Sequence, residues 1–213
     1  MLRDLSNKKT NYTLAELSKK EVDKNPFNQF VKWLDTALEK EINEANAMIL
    51  STVGADNRPS SRVVLLKGVA DEGFMFYTNY HSKKGKQLSK NPNASLIFFW
   101  ADLERQVRIE GIVEKLSADL SDEYFNKRPF DSQLGATISP QSQEIPNRDY
   151  LLNKKNELEL KTGIQKLKRP DYWGGYILKP NLFEFWQGRA NRLSDRIQYT
   201  LKKDDWEIVR LAP

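Results

Sequence analysis

Three guanidiniums, a tryptophan and an amide crowd one short stretch: Trp186-Gln187-Gly188-Arg189, then Asn191-Arg192-Leu193-Ser194-Asp195-Arg196. An apolar, strand-like run over 181–185 leads into it. Arginine pairs bidentately with phosphate, and an indole offers a stacking wall, so this set suits a flat, anionic ligand. A second basic group lies far upstream, where Arg62 and Lys67 bracket Val63, Val64, Leu65 and Leu66. In a strand, Val63 and Leu65 share one face while Val64 and Leu66 share the other with Arg62. Apolar residues on both faces predict a strand buried on both sides, its charged ends lying where the sheet opens. Those ends either snorkel from a core strand, the commoner case, or grip a phosphorylated ligand.

Weaker candidates lie between the two clusters. Tyr77 and Thr78 end a strand just before a lysine-rich turn, where a hydroxyl could meet a phosphate or simply close the turn. Ser82 is a plausible N-cap for a helix whose first turn carries Lys83, Lys84 and Lys86. Free N–H groups beside lysines make a phosphate site, and a solvated basic face reads the same way. Gln106 sits in a core-like strand and requires a hydrogen-bond partner, either a ligand's ring edge or a backbone group. Tyr124, Arg128 and Ser132 gather a phenol, a guanidinium and a hydroxyl around a helix end, as a phosphate cradle or as ordinary capping.

Other chemistries are poorly supplied. The chain has no cysteine, which excludes disulfides, zinc–thiolate sites and thiol nucleophiles, and one histidine, His81, beside a turn. Zinc sites, Ser-His-Asp triads and imidazole acid–base steps are therefore poorly supported. If the chain is an enzyme, a cofactor carries the difficult step. The net charge of +5 is spread along the sequence, with no basic tract interleaved with aromatics, so small anions are favoured over nucleic acid. No apolar run approaches the roughly 18 residues of a membrane span, and the first residues lack a signal peptide's apolar core. A cytoplasmic location is the expectation.

Positioning these residues falls to a mainly β chain with peripheral helices, an α+β class. Residues 1–24 are polar and lysine-rich and read as a partly flexible arm that orders on contact. Residues 25–213 read as one domain. Asn25-Pro26 starts a helix whose Phe27, Phe30, Val31, Leu34, Leu38 and Ile42 recur at helical spacing. Strands are expected at 47–53, 62–67, 74–78, 94–100 and 106–116. Their short, turn-rich spacing favours an antiparallel meander or barrel over βαβ units. Helices are expected at 82–91, 117–127, 131–138 and 148–166, and final strands at 173–178, 182–187, 196–201 and 206–211.

In their order and spacing, many short segments match one family. They include Asp23-Lys24-Asn25-Pro26-Phe27 with Trp33, the 62–67 strand, Phe76-Tyr77-Thr78-Asn79, and Leu103-Glu104-Arg105-Gln106-Val107. Further along come Tyr124-Phe125, Arg128-Pro129, Asp131 to Ala136, Ser139 with Gln141-Ser142, Trp173-Gly174-Gly175, Phe185 to Gly188, Arg192-Leu193, Asp195-Arg196 and the terminal Arg210-Leu211-Ala212-Pro213. The chain resembles the pyridoxine (pyridoxamine) 5′-phosphate oxidases from about residue 12 to the last. That resemblance implies a split β-barrel forming a homodimer, with FMN at the subunit interface. FMN contacts carry over onto Arg62, Val63, Val64, Leu65, Leu66, Lys67, Tyr77, Thr78, Lys83, Lys84 and Gln106, with Gln141, Ser142, Trp186 and Arg196 from the partner. Substrate contacts carry over onto Lys67, Tyr124, Arg128, Ser132, Arg192 and the position of Ser194, with Lys9 and Tyr12 on a covering arm. Arg192 is the implied catalytic residue.

The implied activity is that of a pyridoxal 5′-phosphate synthase. Pyridoxine or pyridoxamine 5′-phosphate would be oxidised to pyridoxal 5′-phosphate by hydride transfer to flavin N5. Molecular oxygen would accept the electrons and give hydrogen peroxide. Two positions depart from the family pattern: Ser194 stands where a histidine is usual, and Lys83 where an arginine is common. Two other readings stay open, a flavin oxidase of the same fold acting on a phenazine-type ring and a non-catalytic flavin or pyridoxal phosphate binder.

Overall fold

The computed structural model describes residues 3–5, 7, 11–163 and 167–213. Lys9 and Ile164 lie outside the described residues. Nine strands form one sheet: β1 (Ala47–Val53), β2 (Pro59–Leu65), β3 (Gly68–Ala70), β4 (Gly73–Asn79), β5 (Asn93–Trp100), β6 (Arg105–Lys115), β7 (Trp173–Gln187), β8 (Asp195–Lys202) and β9 (Asp205–Leu211). The order is β2-β1-β5-β6-β7-β4-β3, with β8 on β7 and β9 beyond it. The β3–β4, β4–β7, β7–β8 and β8–β9 pairs are antiparallel. The expected antiparallel, helix-decorated class is borne out.

Two expectations are corrected. The strands foreseen at 173–178 and 182–187 are one strand, β7. Its first half pairs with β4, Trp173 opposite Asn79, and its second half with β8, Gln187 opposite Asp195. Pro180 falls between the two pairings, outside the register of either. The strand over 62–67 begins earlier and ends at Leu65, and it is not buried on both faces. It lies at the end of the strand order with Val63 64% exposed, while Leu66, just past its end, is buried.

The chain packs as two compact units. One holds the described residues up to 49 together with 95–110 and 180–213; the other holds 50–94 and 111–179. In the first, helix α1 (Pro26–Glu39) starts as its sequence demands, the Asn25 side chain accepting the Phe27 N–H. It buries Phe30, Trp33 and Ala37, whereas Val31 and Leu38 of the expected stripe face solvent. Its rings meet others edge-on, Phe30 with Phe98 at 4.9 Å and Trp33 with Phe185 at 5.3 Å. The polar handles of the core aromatics are satisfied: Trp100 donates to the Ala45 carbonyl and Tyr199 to that of Asp23.

The second unit carries the remaining helices. Helix α2 (Lys83–Leu88) is capped by Ser82, which accepts the Gly85 N–H. A side chain at Gly85 would lie 2.2 Å from the Tyr80 carbonyl oxygen, so this turn requires glycine. Helices α3 (Ala118–Lys127), α4 (Phe130–Ile138) and α5 (Arg148–Thr162) follow. Phe125, Leu134, Leu167 and Trp173 form a buried cluster beside them. On α5, Leu160 is 88% exposed.

Candidate active site

The second unit brings Arg62 and Lys84 together. Arg62, on β2, donates to the Leu50 carbonyl at 3.0 Å and to the Thr52 hydroxyl at 2.7 Å. Lys84 is buried and donates to the Thr78 hydroxyl at 3.1 Å, and that hydroxyl donates to Gln141 Oε1 at 2.9 Å. Burial pushes the pKa of both cations down, and for Lys84 the neighbouring Arg62 charge adds to the effect. No carboxylate among the described residues pairs with Arg62, Lys83 or Lys84. Two desolvated charges repelling each other form a site that a dianion would relieve. Lys83 is exposed and lines a second recess with Asp56, His81, Lys86 and Ser142. Lys67 is exposed just beyond β2, its N–H donating to the Met75 carbonyl.

Thr78 and Gln141 also line a neighbouring cavity of about 350 Å³, together with Tyr77, Arg128, Ser132 and Trp173. Tyr77, Tyr124 and Trp173 stack nearly parallel, Tyr77 on Tyr124 at 3.8 Å and on Trp173 at 5.7 Å. The Arg128 guanidinium lies 4.6 Å over the Trp173 ring. One of its nitrogens, Nη1, is buried with no hydrogen-bond partner. Burial lowers the pKa of Arg128 and raises those of Tyr77 and Tyr124, so the phenols stay protonated donors. Arg128 and Ser132 thus line one cavity at a helix end, Tyr124 stacks beside it, and Arg128 keeps an unpartnered donor.

The first unit carries the arginine-rich stretch. Between β7 and β8 the chain makes a 3₁₀ turn in which Asn191 and Arg192 both hold positive φ, 58° and 62°. Non-glycine residues adopt this conformation at a cost, and here it throws Arg192 outward, exposed and without an ionic partner among the described residues. Ser194 is buried beside it. Asp195 anchors the turn. Its carboxylate accepts the Leu17 N–H at 3.0 Å, Arg189 at 3.2 Å, and Arg210. Burial alone would raise its pKa, but these donors outweigh burial and hold it below the usual carboxylate range.

The N-terminal arm is tied to the same unit. Leu14 donates its N–H to the Glu104 carboxylate, Leu17 is buried, and Tyr12 meets Trp186 edge-on at 5.5 Å. Arg196 is less free than its sequence position suggested. It donates to buried Glu184 at 2.8 Å, which Arg108 also contacts, and to the Ala212 carbonyl. Gln106 is half-buried, and its side-chain amide has no partner among the described residues. Sequence reasoning assigned no role to Glu104, Glu184 or Asp195. Their partners lie far along the chain, 178 positions away for Asp195 and Leu17, beyond any local pattern.

Among solved structures, PhzG from Burkholderia lata 383, in complex with tetrahydrophenazine-1-carboxylic acid, superposes with a TM-score of 0.86 at 31% identity over 91% of this chain and 95% of that one. A pyridoxamine 5′-phosphate oxidase-related, FMN-binding protein from Nostoc punctiforme shares the fold, with a TM-score of 0.72 at 16% identity over 90% of this chain and all of that one. These likenesses give the chain the split-barrel fold. The family model for pyridoxamine 5′-phosphate oxidase matches residues 34–160, and that for the pyridoxine 5′-phosphate oxidase C-terminal dimerisation region matches residues 173–213. The pyridoxine/pyridoxamine 5′-phosphate oxidases of Trichormus variabilis and Cupriavidus taiwanensis are each 50% identical to it over the full length of both chains. The chain belongs to the pyridoxine/pyridoxamine 5′-phosphate oxidase family.

Proposed function

We infer that the protein is an FMN-dependent oxidase that converts pyridoxine 5′-phosphate or pyridoxamine 5′-phosphate to pyridoxal 5′-phosphate, as a homodimer. One observation carries the reading beyond family membership. Two cation sites with no acidic partner among the described residues, Arg62 with Lys84 and Arg128 alone, adjoin through Thr78 and Gln141, which belong to both. A cofactor phosphate and a substrate phosphate are each close to −2 at neutral pH, and two such sites match two such tails.

The desolvated pair Arg62 and Lys84 fits the FMN phosphate, with Lys83 contributing from the exposed side, Tyr77, Gln141 and Ser142 of the same unit available to the rest of the cofactor, and Trp186 and Arg196 proposed to come from the partner subunit. Bound there, FMN would supply a two-electron acceptor for a hydride from substrate C4′, with oxygen as the final acceptor giving hydrogen peroxide; with the amine substrate, water would then hydrolyse the resulting imine and release ammonia. The chain's own residues bind and orient. Arg128, Tyr124 and Ser132 grip the substrate phosphate, with Lys67 at the rim, and the phenol donates because burial keeps it protonated. In the dimer, Arg192 would orient the hydroxyl or amine on the reacting carbon, with Tyr12 and the arm as its cover. The carboxylates around Arg192 are committed, Asp195 to three donors and Glu104 to the arm.

The likeness to PhzG gives the rival reading, a ring substrate without a phosphate. One assay separates them. The purified protein, loaded with FMN, is mixed with each B6 phosphate without air and then exposed to it. Bleaching of the yellow colour, its return in air, and formation of pyridoxal 5′-phosphate are the expected results. A flavin that neither vitamer reduces would refute the assignment.

A further inference from the structure

Trp173-Gly174-Gly175 opens β7 and is left without a role by the functional reading. Trp173 is 6% exposed, yet it lines the cavity holding Arg128. Its ring lies beneath the Arg128 guanidinium at 4.6 Å, with Phe125 at 5.9 Å, and Tyr124 stacks parallel to it within 6°. Nothing acidic among the described residues pairs with Arg128. A half-buried guanidinium is normally held by a carboxylate, which neutralises it and occupies its N–H fork. Here an indole face holds it. A π face attracts the cation through its quadrupole but takes no N–H donor and cancels no charge. The buried, unpartnered Nη1 of Arg128 is the donor left over.

The two glycines make this arrangement possible. A Cβ at Gly175 would lie 2.8 Å from Tyr77 Cε1 and 2.5 Å from Leu116 Cδ1. A Cβ at Gly174 would lie 2.1 Å from the Tyr80 hydroxyl and 2.9 Å from Ser121 Oγ. Only a bare backbone brings β7 close enough for Trp173 to join the stack with Tyr77 and Tyr124.

We propose that Trp173 is the positioning residue for recognition of the substrate phosphate: its indole fixes the plane of the Arg128 guanidinium while leaving that group's charge and donors to the phosphate. The proposal rests on the functional reading above and names the residue behind its phosphate grip. Trp173 acts only through Arg128, so its effect is confined to phosphorylated ligands and vanishes when Arg128 is absent.

The test compares Trp173→Leu, Trp173→Phe and Arg128→Ala, singly and combined, in the FMN-loaded dimer. Binding of pyridoxal 5′-phosphate and of unphosphorylated pyridoxal is followed by absorbance, alongside steady-state oxidation of pyridoxine 5′-phosphate. Trp173→Leu should weaken pyridoxal 5′-phosphate binding about tenfold, roughly 1.4 kcal/mol. It should raise KM more than it lowers kcat and leave pyridoxal binding unchanged. Trp173→Phe, which keeps an aromatic face, should recover most of the loss. In the Arg128→Ala background, either Trp173 substitution should have no further effect. If Trp173→Leu does not fold, Trp173→Phe with and without Arg128→Ala decides by the same criterion. Equal losses for both ligands, or undiminished losses without Arg128, would reduce Trp173 to a core residue and overturn the proposal. A parent protein that binds neither B6 phosphate would instead overturn the functional reading, a distinct result read from the parent alone.

Discussion

Lys84 and Arg192 are cations of opposite character. Lys84 is buried, its charge desolvated and set against Arg62. That is costly without an anion and favourable with one, so Lys84→Gln should separate stability from cofactor retention. Flavin affinity should fall about 10- to 100-fold, the worth of a charge-assisted hydrogen bond of roughly 1.5–3 kcal/mol. The flavin-free protein should unfold at the same temperature as the parent or higher. The pH dependence has a definite sign. With the folded-state pKa of Lys84 depressed, the unfolded chain binds the extra proton, so the flavin-free parent gains stability as pH rises towards the ordinary lysine value. The variant should lack that increment, measured as the parent–variant difference in thermal midpoint across alkaline pH. Equal flavin content after dialysis would show that Lys84 is not at the cofactor. Arg192, exposed on a positive-φ turn, has no such structural debt. Arg192→Ala should cut turnover by a hundredfold or so, an order typical of one oriented catalytic donor. It should leave flavin stoichiometry and stability near the parent's; turnover at the parental rate would remove Arg192 from the reaction.

Elements bring these residues within reach, and some of that was written locally. Caps announced the helices: Asn25, Ser82 and Ser117 each accept the N–H their positions forecast. Strand edges followed from turn residues. What local pattern could not show was a change of partner. Pro180 reads as a break, yet β7 runs through it because β4 and β8 pair with different halves. Apolar residues on both faces of β2 likewise cannot say whether solvent, core or another chain covers them. At the site, residue types were legible and company was not: the cations stood out, but neither the missing acids nor the indole under Arg128 has a local signature. The arm is the sharpest case. It is held by Glu104 and Asp195, and by Gly188, where a Cβ would lie 2.6 Å from Tyr12 Cγ. Gly188→Ala should therefore push Tyr12 off the turn without touching the cations of the other unit. The expected signature is a raised KM, unchanged flavin content and faster proteolysis after Lys19 or Lys20. A KM equal to the parent's would mean that the arm does not cover the substrate.

At the scale of the whole molecule, the question is what covers the edge of the sheet. β2 ends the strand order, and Val63 and Leu65 are 64% and 37% exposed on it. A flat, apolar edge strand is an aggregation hazard that natural proteins blunt with charge or cover with another surface. Arg62 does not supply that protection, since its side chain turns back to Leu50 and Thr52. A second copy of the chain would, and residues 173–213 match a dimerisation region. The expected species in solution is a homodimer of twice 24.8 kDa. If the exposed face of β2 lies at that contact, Val63→Lys places a charge in it. Sedimentation should then show a shift towards monomer, with flavin lost in the same samples, because the partner is proposed to complete the cofactor site beside Arg62. The coupling is the discriminating feature: a variant that becomes monomeric yet keeps its flavin and turnover would show that each chain builds its site alone. A variant that stays dimeric with full flavin would move the contact away from β2. Adding FMN should drive the weakened variant back to dimer, since a ligand bound across two chains stabilises their association by mass action.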